Sequence, residues 1–173
     1  AHSGVIKHEF GFPGFDTLTT TVNNDILYIV GSSTKDQKSE VIKVDLKSKK
    51  TIWREPITGI AGTGTPVITD GKIIIGVDNQ DKGEVLAHSL DTGENVWYYP
   101  REGKCDPVQQ GITLAYNKLF CAVGTRIVVL DLKGGLLHKA YSTGLGAITR
   151  PLLVTDTYIV AMNADGIIYG NNI

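Results

Sequence analysis

The chain has 173 residues, of which 42% are hydrophobic and 20% charged, and its formal net charge is -1. A single domain of this length buries a core large enough to fold without metal or disulfides. The near-neutral charge argues against nucleic acid as a partner, and the apolar content argues against disorder. No apolar stretch reaches the roughly 18 residues that span a bilayer, and the N-terminus lacks the order of a signal peptide. We therefore expect a soluble chain without membrane insertion; because it begins without methionine, we also expect that a preceding segment has been removed.

In chain order, four segments pass from an apolar run through a two-residue turn into a second apolar run. They read "TTTVNNDILYIVG", "TPVITDGKIIIG", "ITLAYNKLFCAVG" and "RPLLVTDTYIVA". The predicted turns use residue types that accept tight hairpin geometry: Asn24-Asp25, Gly71-Lys72, Asn117-Lys118 and Asp156-Thr157. Alternation over four to eight residues, together with abundant Val, Ile and Thr, predicts half-buried strands.

A third alternating run follows each hairpin, as "EVIKVDL", "EVLAHSL", "RIVVLDL" and "GIIYGNN". Three of these runs lead through a turn into a fourth, as "KTIWREP", "ENVWYYP" and "GLLHKAY". The last segment has no such run, but "SGVIKHEF" at the N-terminus has the matching spacing. The pattern predicts an all-β, four-bladed β-propeller of four-stranded antiparallel blades, with the last blade completed by the N-terminal strand.

The spacing of the fourth runs supports this count. If the chain is read as a circle, the steps between His8, Trp53, Trp97 and His138 are 45, 44, 41 and 43 residues, which leaves no remainder. Each step is close to the ~40 to 45 residues of a four-stranded blade. We expect a single domain with repeats at about 11–55, 56–100, 101–142 and 143–173 plus 1–10, rather than a fragment of a larger protein. Closure within one chain and exchange of terminal strands in a dimer both remain open.

The run "VLAHSLDTGENVW" resembles the repeats of the quinoprotein-like, or PQQ-like, β-propellers, whose blades carry an Ala-x-Asp-x-x-Thr-Gly-x-x-x-Trp pattern. The first segment keeps Asp45 and Trp53, the third keeps Asp131 with His138 in place of Trp, and the split fourth has Asn171 and His8. The resemblance implies that Trp97 docks one blade on the next and that the polar residues shape the turn. The quinone-dependent dehydrogenases of this group hold calcium and a quinone through residues that find no match here. The resemblance therefore implies the fold and not the enzyme.

The candidate binding site is one mouth of the central channel, where the segments before each innermost strand are polar. The residues expected to face a ligand there are Asp16, Thr19, Thr63, Asp106, Gln110 and Arg150. Nearby aromatic residues are candidates for stacking on a sugar or a peptide: Phe12, Phe15, Tyr98 and Tyr99. The predicted function is non-catalytic binding of a protein, a carbohydrate or a small polar ligand. A role in hydrating a narrow channel is the alternative for the polar side chains.

An enzyme is the alternative from another class, as a small lyase, isomerase or cyclase that uses Asp16, Asp106, Arg150 or a histidine as acid or base. A deeply buried carboxyl with a raised pKa would favour it. No cofactor and no metal are expected, because the loop "DNQDKGE" lacks the spacing of a calcium loop and the histidines are scattered.

Three smaller expectations concern single side chains. His138 is expected to pack between blades. Cys121 is predicted to be a buried hydrophobe, whereas Cys105 follows Lys104, which could favour a reactive thiolate. Two cysteines in a chain of this length do not indicate a disulfide framework, so the compartment remains open.

Removal of residues 1 to 10 is expected to leave the last blade with an open edge, and so to cost most of the stability of the fold. Thermal unfolding of the truncated chain followed by circular dichroism measures this loss. An unchanged melting temperature would contradict completion of the last blade by the N-terminal strand.

Overall fold

The computed structural model describes residues 9–78, 82–100, 102–103, 105–108, 111–144 and 146–172. Within these residues the chain forms strands and turns and no helix. The strands group into four antiparallel sheets that follow one another along the chain, which confirms the predicted all-β class. In the same part of the chain, no helix has the length and apolar character needed to cross a membrane.

Sheets 1 and 2 occupy the first half of the chain. Sheet 1 pairs in sequential order β1 (Thr17–Asn23), β2 (Ile26–Ser33), β3 (Lys38–Asp45) and β4 (Lys50–Thr58). Sheet 2 contains β5 (Ile60–Ala61), β6 (Val67–Thr69), β7 (Lys72–Asp78), β8 (Gly83–Ser89) and β9 (Asn95–Tyr99). Both β5 and β6 pair with β7. The innermost strand of sheet 2 is therefore interrupted by the segment 62–66.

Sheets 3 and 4 repeat the arrangement. Sheet 3 pairs β10 (Ile112–Ala115), β11 (Lys118–Val123), β12 (Arg126–Asp131) and β13 (Leu137–Ser142). Sheet 4 pairs β14 (Leu153–Val154), β15 (Tyr158–Met162) and β16 (Ile168–Asn172). The strand predicted to complete sheet 4 lies mostly in residues 1–8, which are outside the described residues.

Two of the four predicted hairpin turns are placed as expected, and two lie one residue earlier. Asn23 pairs with Ile26, which leaves the predicted turn of sheet 1. In sheet 4 the Thr155 N–H donates to the Tyr158 oxygen at 2.8 Å, which leaves Asp156-Thr157. In sheet 2 the turn is Asp70-Gly71, and in sheet 3 it is Tyr116-Asn117. All four of these residues have positive φ, between 48° and 68°. A two-residue hairpin with positive φ at both positions matches strand twist, so Lys72 and Lys118 are left to begin strands.

Successive sheets pack face to face through three apolar clusters. We call the face of a sheet that contacts the following sheet its leading face, and the opposite face its trailing face. The leading face of sheet 1 contributes Tyr28, Val30 and Val41, which pack on Ile73, Ile75 and Leu86 of sheet 2. The cluster between sheets 2 and 3 includes Ile74, Val85, Trp97, Leu119, Cys121 and Val128. The cluster between sheets 3 and 4 includes Phe120, Ala122, Ile127, Ile159 and Ala161.

Trp97 docks sheet 2 on sheet 3, as the resemblance implied. Its side chain is 3% exposed, and its indole N–H donates a hydrogen bond to the backbone oxygen of Leu132 at 3.3 Å. The ring lies on Gly135, where an added Cβ would overlap it. Trp53 makes the same contact one sheet earlier, donating to the Leu90 oxygen at 3.3 Å. Its ring carbons lie 3.0 Å from the position a Cβ would take at Gly93.

Polar side chains hold the turn that receives Trp97 and the corresponding turn of sheet 1. The Asp131 carboxylate accepts hydrogen bonds from the backbone N–H groups of Lys133, Gly134 and Leu136, at 2.8 to 3.0 Å. In sheet 1 the Asp45 carboxylate accepts one from the Ser48 N–H at 2.6 Å, and this bond lowers the pKa of Asp45. The aspartates of the repeat therefore shape turns.

The residue at the tryptophan position of sheet 3 is Lys139 and not His138. A β-bulge in each outer hairpin places Trp53 opposite Lys43, Trp97 opposite Ala87 and Lys139 opposite Val129. His138 is the extra residue in that bulge and is exposed, so the prediction that it packs between blades is wrong. Lys139 is also exposed, with its ammonium 4.4 Å from the centre of the Tyr141 ring.

Trp97→Ala is expected to destabilise the fold by about 3 to 5 kcal/mol, because it opens a cavity between two sheets and leaves the Leu132 oxygen without its donor. The free energy of unfolding from denaturant titration measures the change. Tyr98→Ala is the matched control, because this neighbouring ring is 44% exposed. Equal losses in the two variants would contradict the docking role of Trp97.

Candidate functional site

The predicted channel mouth is defined by one end of the sheets. Because neighbouring strands are antiparallel, the segments that enter the innermost strands lie at the same end as the β2–β3, β7–β8, β11–β12 and β15–β16 turns. We call this end the entry mouth. The turns that receive Trp53 and Trp97 lie at the opposite end. The five predicted site residues that the structure describes all belong to the entry segments or to the strand starts that follow them.

Asp16 fastens the first entry segment to sheet 1. Its carboxylate accepts hydrogen bonds from the Thr34 backbone N–H at 3.0 Å and from the Thr34 hydroxyl at 2.5 Å. Its own N–H donates to the Ser32 oxygen at 3.0 Å. The bonds from Thr34 lower the pKa of Asp16, and the side chain is exposed. Asp16 is thus an ionised carboxylate that is already engaged by the β2–β3 turn.

Asp106 has the corresponding place in sheet 3. It is exposed, and its carboxylate lies against Gly124 in the β11–β12 turn, so closely that a Cβ at that glycine would overlap it. The same entry segment is tied to sheet 2, because the Gly83 N–H donates to the Cys105 oxygen at 2.7 Å. Both predicted carboxylates therefore lie where an entry segment meets a turn of its own sheet.

Thr19 and Thr149 hold equivalent positions nearest the axis. Thr19 lies opposite Val30, and the Thr149 N–H donates to the oxygen of Met162, which corresponds to Val30 in sheet 4. Both hydroxyls are buried and have no hydrogen-bond partner among the described residues. Thr19 lines a cavity of about 10 Å³ together with Gly62, Gly64 and Gly111. A cavity of this size has room for about one water molecule.

The remaining predicted residues do not converge in the described structure. Thr63 is exposed in the segment between β5 and β6. Arg150 is exposed, and its guanidinium donates a hydrogen bond to the neighbouring Thr149 oxygen at 3.1 Å. Gln110 lies outside the described residues. The entry mouth is therefore a rim of polar side chains around a narrow axis.

The four aromatic candidates do not gather at one site. Phe12 and Phe15 pack on Ile29, Ile42 and Val44 and so cover the trailing face of sheet 1. Tyr99 packs on the cluster between sheets 2 and 3. These three rings pack against buried apolar clusters and form no stacking platform at the mouth.

Tyr98 instead borders a groove between sheets 1 and 2 that the sequence did not reveal. The groove has a volume of about 370 Å³ and is lined by residues that include Ile57, Lys82, Glu84, His88 and Tyr98. Lys82 and Glu84 form an ion pair at 2.7 Å. The buried His88 bonds through Nδ1 to the Gly93 oxygen at 2.8 Å, and its Nε2 has no partner in the described part of the chain. Burial lowers the pKa of His88, which favours the neutral ring.

Both cysteines are buried and free. The Cys105 thiol donates a hydrogen bond to the Gly83 oxygen at 2.8 Å. Burial, with the nearby Asp106 charge, raises the pKa of Cys105 to about 11, so the expectation of a reactive thiolate is wrong. Cys121 is fully buried, as predicted, and burial raises the pKa of its thiol as well.

Repeated four-stranded antiparallel sheets, bulged outer hairpins and indoles docked on the next sheet define a β-propeller of the PQQ-like repeat class. Residues 9–170 match the family model described as outer membrane protein assembly factor BamB. The chain belongs to this family. No curated protein matches the chain by sequence.

Solved structures share the fold at low sequence identity. BamB from Moraxella catarrhalis is 20% identical with a TM-score of 0.68, over 92% of this chain and 43% of the BamB chain. The computationally designed Ika4 protein is 15% identical with a TM-score of 0.71, over 97% of this chain and 99% of Ika4. A europium-containing methanol dehydrogenase is 15% identical with a TM-score of 0.59, over 75% of this chain and 26% of the enzyme. The chain thus spans less than half the length of BamB.

Neither cysteine of the folded chain is expected to react with a thiol reagent at pH 8, because both thiols are buried and protonated. Reaction with Ellman's reagent is followed with and without denaturant, and two thiols per chain are expected only after unfolding. Rapid labelling of one thiol in the folded chain would contradict the burial of Cys105.

Proposed function

We propose that this chain is a non-catalytic interaction propeller that binds a protein partner on its entry mouth. The family match supports this assignment, because the family description names an assembly factor. The observation that carries it is the shape of the mouth. The cavity beside Thr19 holds about 10 Å³, while Thr63, Asp106 and Arg150 are exposed on the entry segments.

This shape favours a protein over a small ligand. Small-molecule sites are concave and enclose most of the ligand in several hundred Å³, whereas a protein partner binds a broad polar rim through side chains at its edge. In this proposal the buried hydroxyls of Thr19 and Thr149 line the axis and do not contact the partner. The proposed contact residues are Arg150, Asp106, Thr63 and Gln110. At the mouth, a carbohydrate or a small polar ligand would have to bind on the rim without an enclosing pocket.

The enzyme alternative is not favoured. A catalytic acid at the mouth requires a buried carboxyl with a raised pKa, but Asp16 is exposed and the Thr34 bonds lower its pKa. An ionised carboxylate that already accepts two hydrogen bonds is a poor proton donor.

The proposed fold of the whole chain has four blades, with residues 1–10 supplying the outer strand of sheet 4. The edge strand β16 pairs with β15 on one side, which leaves its other side available to this strand. The four sheets formed by the described residues support the count.

Site-specific photocross-linking tests the mouth. A benzoylphenylalanine in place of Arg150 is expected to give a discrete protein adduct when the chain is irradiated in its source cells. The same residue in place of Lys133 is the control, because Lys133 is equally exposed at the opposite end. Adducts at both positions or at neither would overturn the proposal. A small mass increment in native mass spectrometry, removed by Arg150→Ala, would assign the rim to a small ligand instead.

A further inference from the structure

His88 departs from the repeat at a position that sheets 1 and 3 fill with an aliphatic side chain. The residue that follows the outer β-bulge on the third strand is Val44 in sheet 1, His88 in sheet 2 and Leu130 in sheet 3. All three are buried, with 1%, 4% and 0% of their surface exposed. Packing between sheets is therefore served by an apolar residue here, and packing alone does not explain the imidazole of His88.

The hydrogen bonds of His88 leave one ring nitrogen as an acceptor without a donor. The Gly93 backbone oxygen can only accept, so Nδ1, which lies 2.8 Å from it, carries the proton. In the neutral ring, which burial favours by lowering the pKa of His88, Nε2 then holds a lone pair. Nε2 is buried and has no hydrogen-bond partner in the part of the chain that the structure describes. An unpaired acceptor of this kind costs free energy in the folded state that Val44 and Leu130 avoid.

The imidazole of His88 forms part of the wall of the groove between sheets 1 and 2. Glu84, Leu86 and His88 alternate along β8 and so share the trailing face of sheet 2, with Tyr98 opposite Leu86 on β9. Because Glu84 and His88 are four residues apart on one strand, the groove extends for about 13 Å along it. Its volume of about 370 Å³ lies within the range of small-molecule sites.

The other polar groups of the groove fit a neutral ligand with several hydroxyl groups. Lys82 and Glu84 pair at 2.7 Å, so their charges compensate each other and the groove favours neither anions nor cations. The Glu84 carboxylate accepts hydrogen bonds, the Lys82 ammonium donates them, and the Asn95 amide does both. A hydroxyl group also donates and accepts, so a ligand with several of them matches these groups together with Nε2 of His88. The Tyr98 ring, 44% exposed, adds an apolar surface on which a sugar ring can stack.

We propose that this groove binds a neutral carbohydrate, with Nε2 of His88 accepting a hydrogen bond from a sugar hydroxyl and the Tyr98 ring stacked on the sugar. The bound hydroxyl supplies the donor that the buried nitrogen lacks, which gives the polar residue at an apolar position a function. The site lies between the outer strands of sheets 1 and 2 and not at the entry mouth. The proposal therefore does not depend on a protein partner binding at that mouth.

Binding of the full chain to an array of neutral and acidic glycans tests the site. We expect binding to neutral glycans, and the free oligosaccharide that binds best is then titrated by calorimetry. His88→Leu is expected to keep the fold, because Leu130 has the same position in sheet 3, and to lower the affinity about tenfold, the effect of losing one neutral hydrogen bond. Tyr98→Ala should cause a similar loss. Tyr158→Ala is the matched control, because this ring is 51% exposed on sheet 4, and it should bind as the wild type does.

Three results of this experiment would overturn the proposal: no binding to any neutral glycan, binding to acidic glycans only, or equal affinities in the wild type and both groove variants. Circular dichroism shows whether His88→Leu retains the strand signal. If it does not, Tyr98→Ala decides the outcome, because the exposed ring is replaced without opening the core.

Long-range ¹H–¹⁵N NMR of the histidine rings follows Nε2 directly. In the free chain we expect His88 to show a protonated Nδ1 and an unprotonated Nε2. Addition of the neutral oligosaccharide that binds best is expected to shift the Nε2 signal to lower frequency, because its lone pair then accepts a hydrogen bond from the sugar. A protonated Nε2 in the free chain, or an Nε2 signal that does not move while the sugar binds, would overturn the proposal.

Discussion

Face-to-face packing of twisted sheets is the constraint on which the rest of the structure depends. Neighbouring sheets in a propeller diverge from the axis outwards, so their outer strands would separate without a large side chain to fill the gap. Trp53 and Trp97 provide it, each reaching the outer turn of the next sheet and bonding to a backbone oxygen there. The β-bulge before each indole turns it towards that neighbour. The Thr-Gly turn is thus the receiving surface for the preceding sheet's indole.

The inner edge depends on the entry segments, which cross from the outside of one sheet to the axis of the next. Ser39 holds the segment before sheet 2 through the Gly59 oxygen and the Ala61 N–H, at 2.8 and 2.9 Å. The Ile148 N–H holds the last segment by donating to the Gly124 oxygen at 2.8 Å. Gly76 admits the backbone of Val108, where any Cβ would overlap it. Some polar residues of the mouth that the sequence predicts as ligand contacts therefore also hold these entry segments in place.

The strands and the docking role of Trp97 could be predicted because alternation and the repeated turn are local signals. The turn positions and side-chain placements that were predicted wrongly depend on backbone geometry, which residue types alone do not determine. Tyr116 adopts a positive φ that few bulky residues take, which moves its turn by one residue. The bulge in sheet 3 places Lys139 where spacing alone selects His138. Phe12 and Phe15 read as surface aromatics because nothing local shows that an entry segment covers a sheet face.

Repetition also explains why function and assembly were harder to derive than fold. Each sheet uses its apolar residues on the neighbours, so an apolar side chain in the sequence predicts an interface without saying which sheet covers it. At the ends of the stack the same residues become surface, as Ile168 shows beside its buried counterpart Ile127. The axis is also hard to predict from sequence, because Thr19 lies in a regular strand pair whereas extra residues between Thr149 and Leu153 bring Thr149 opposite Met162, the counterpart of Val30. A narrow axis lined by such residues leaves the rim as the surface on which we propose that a partner binds.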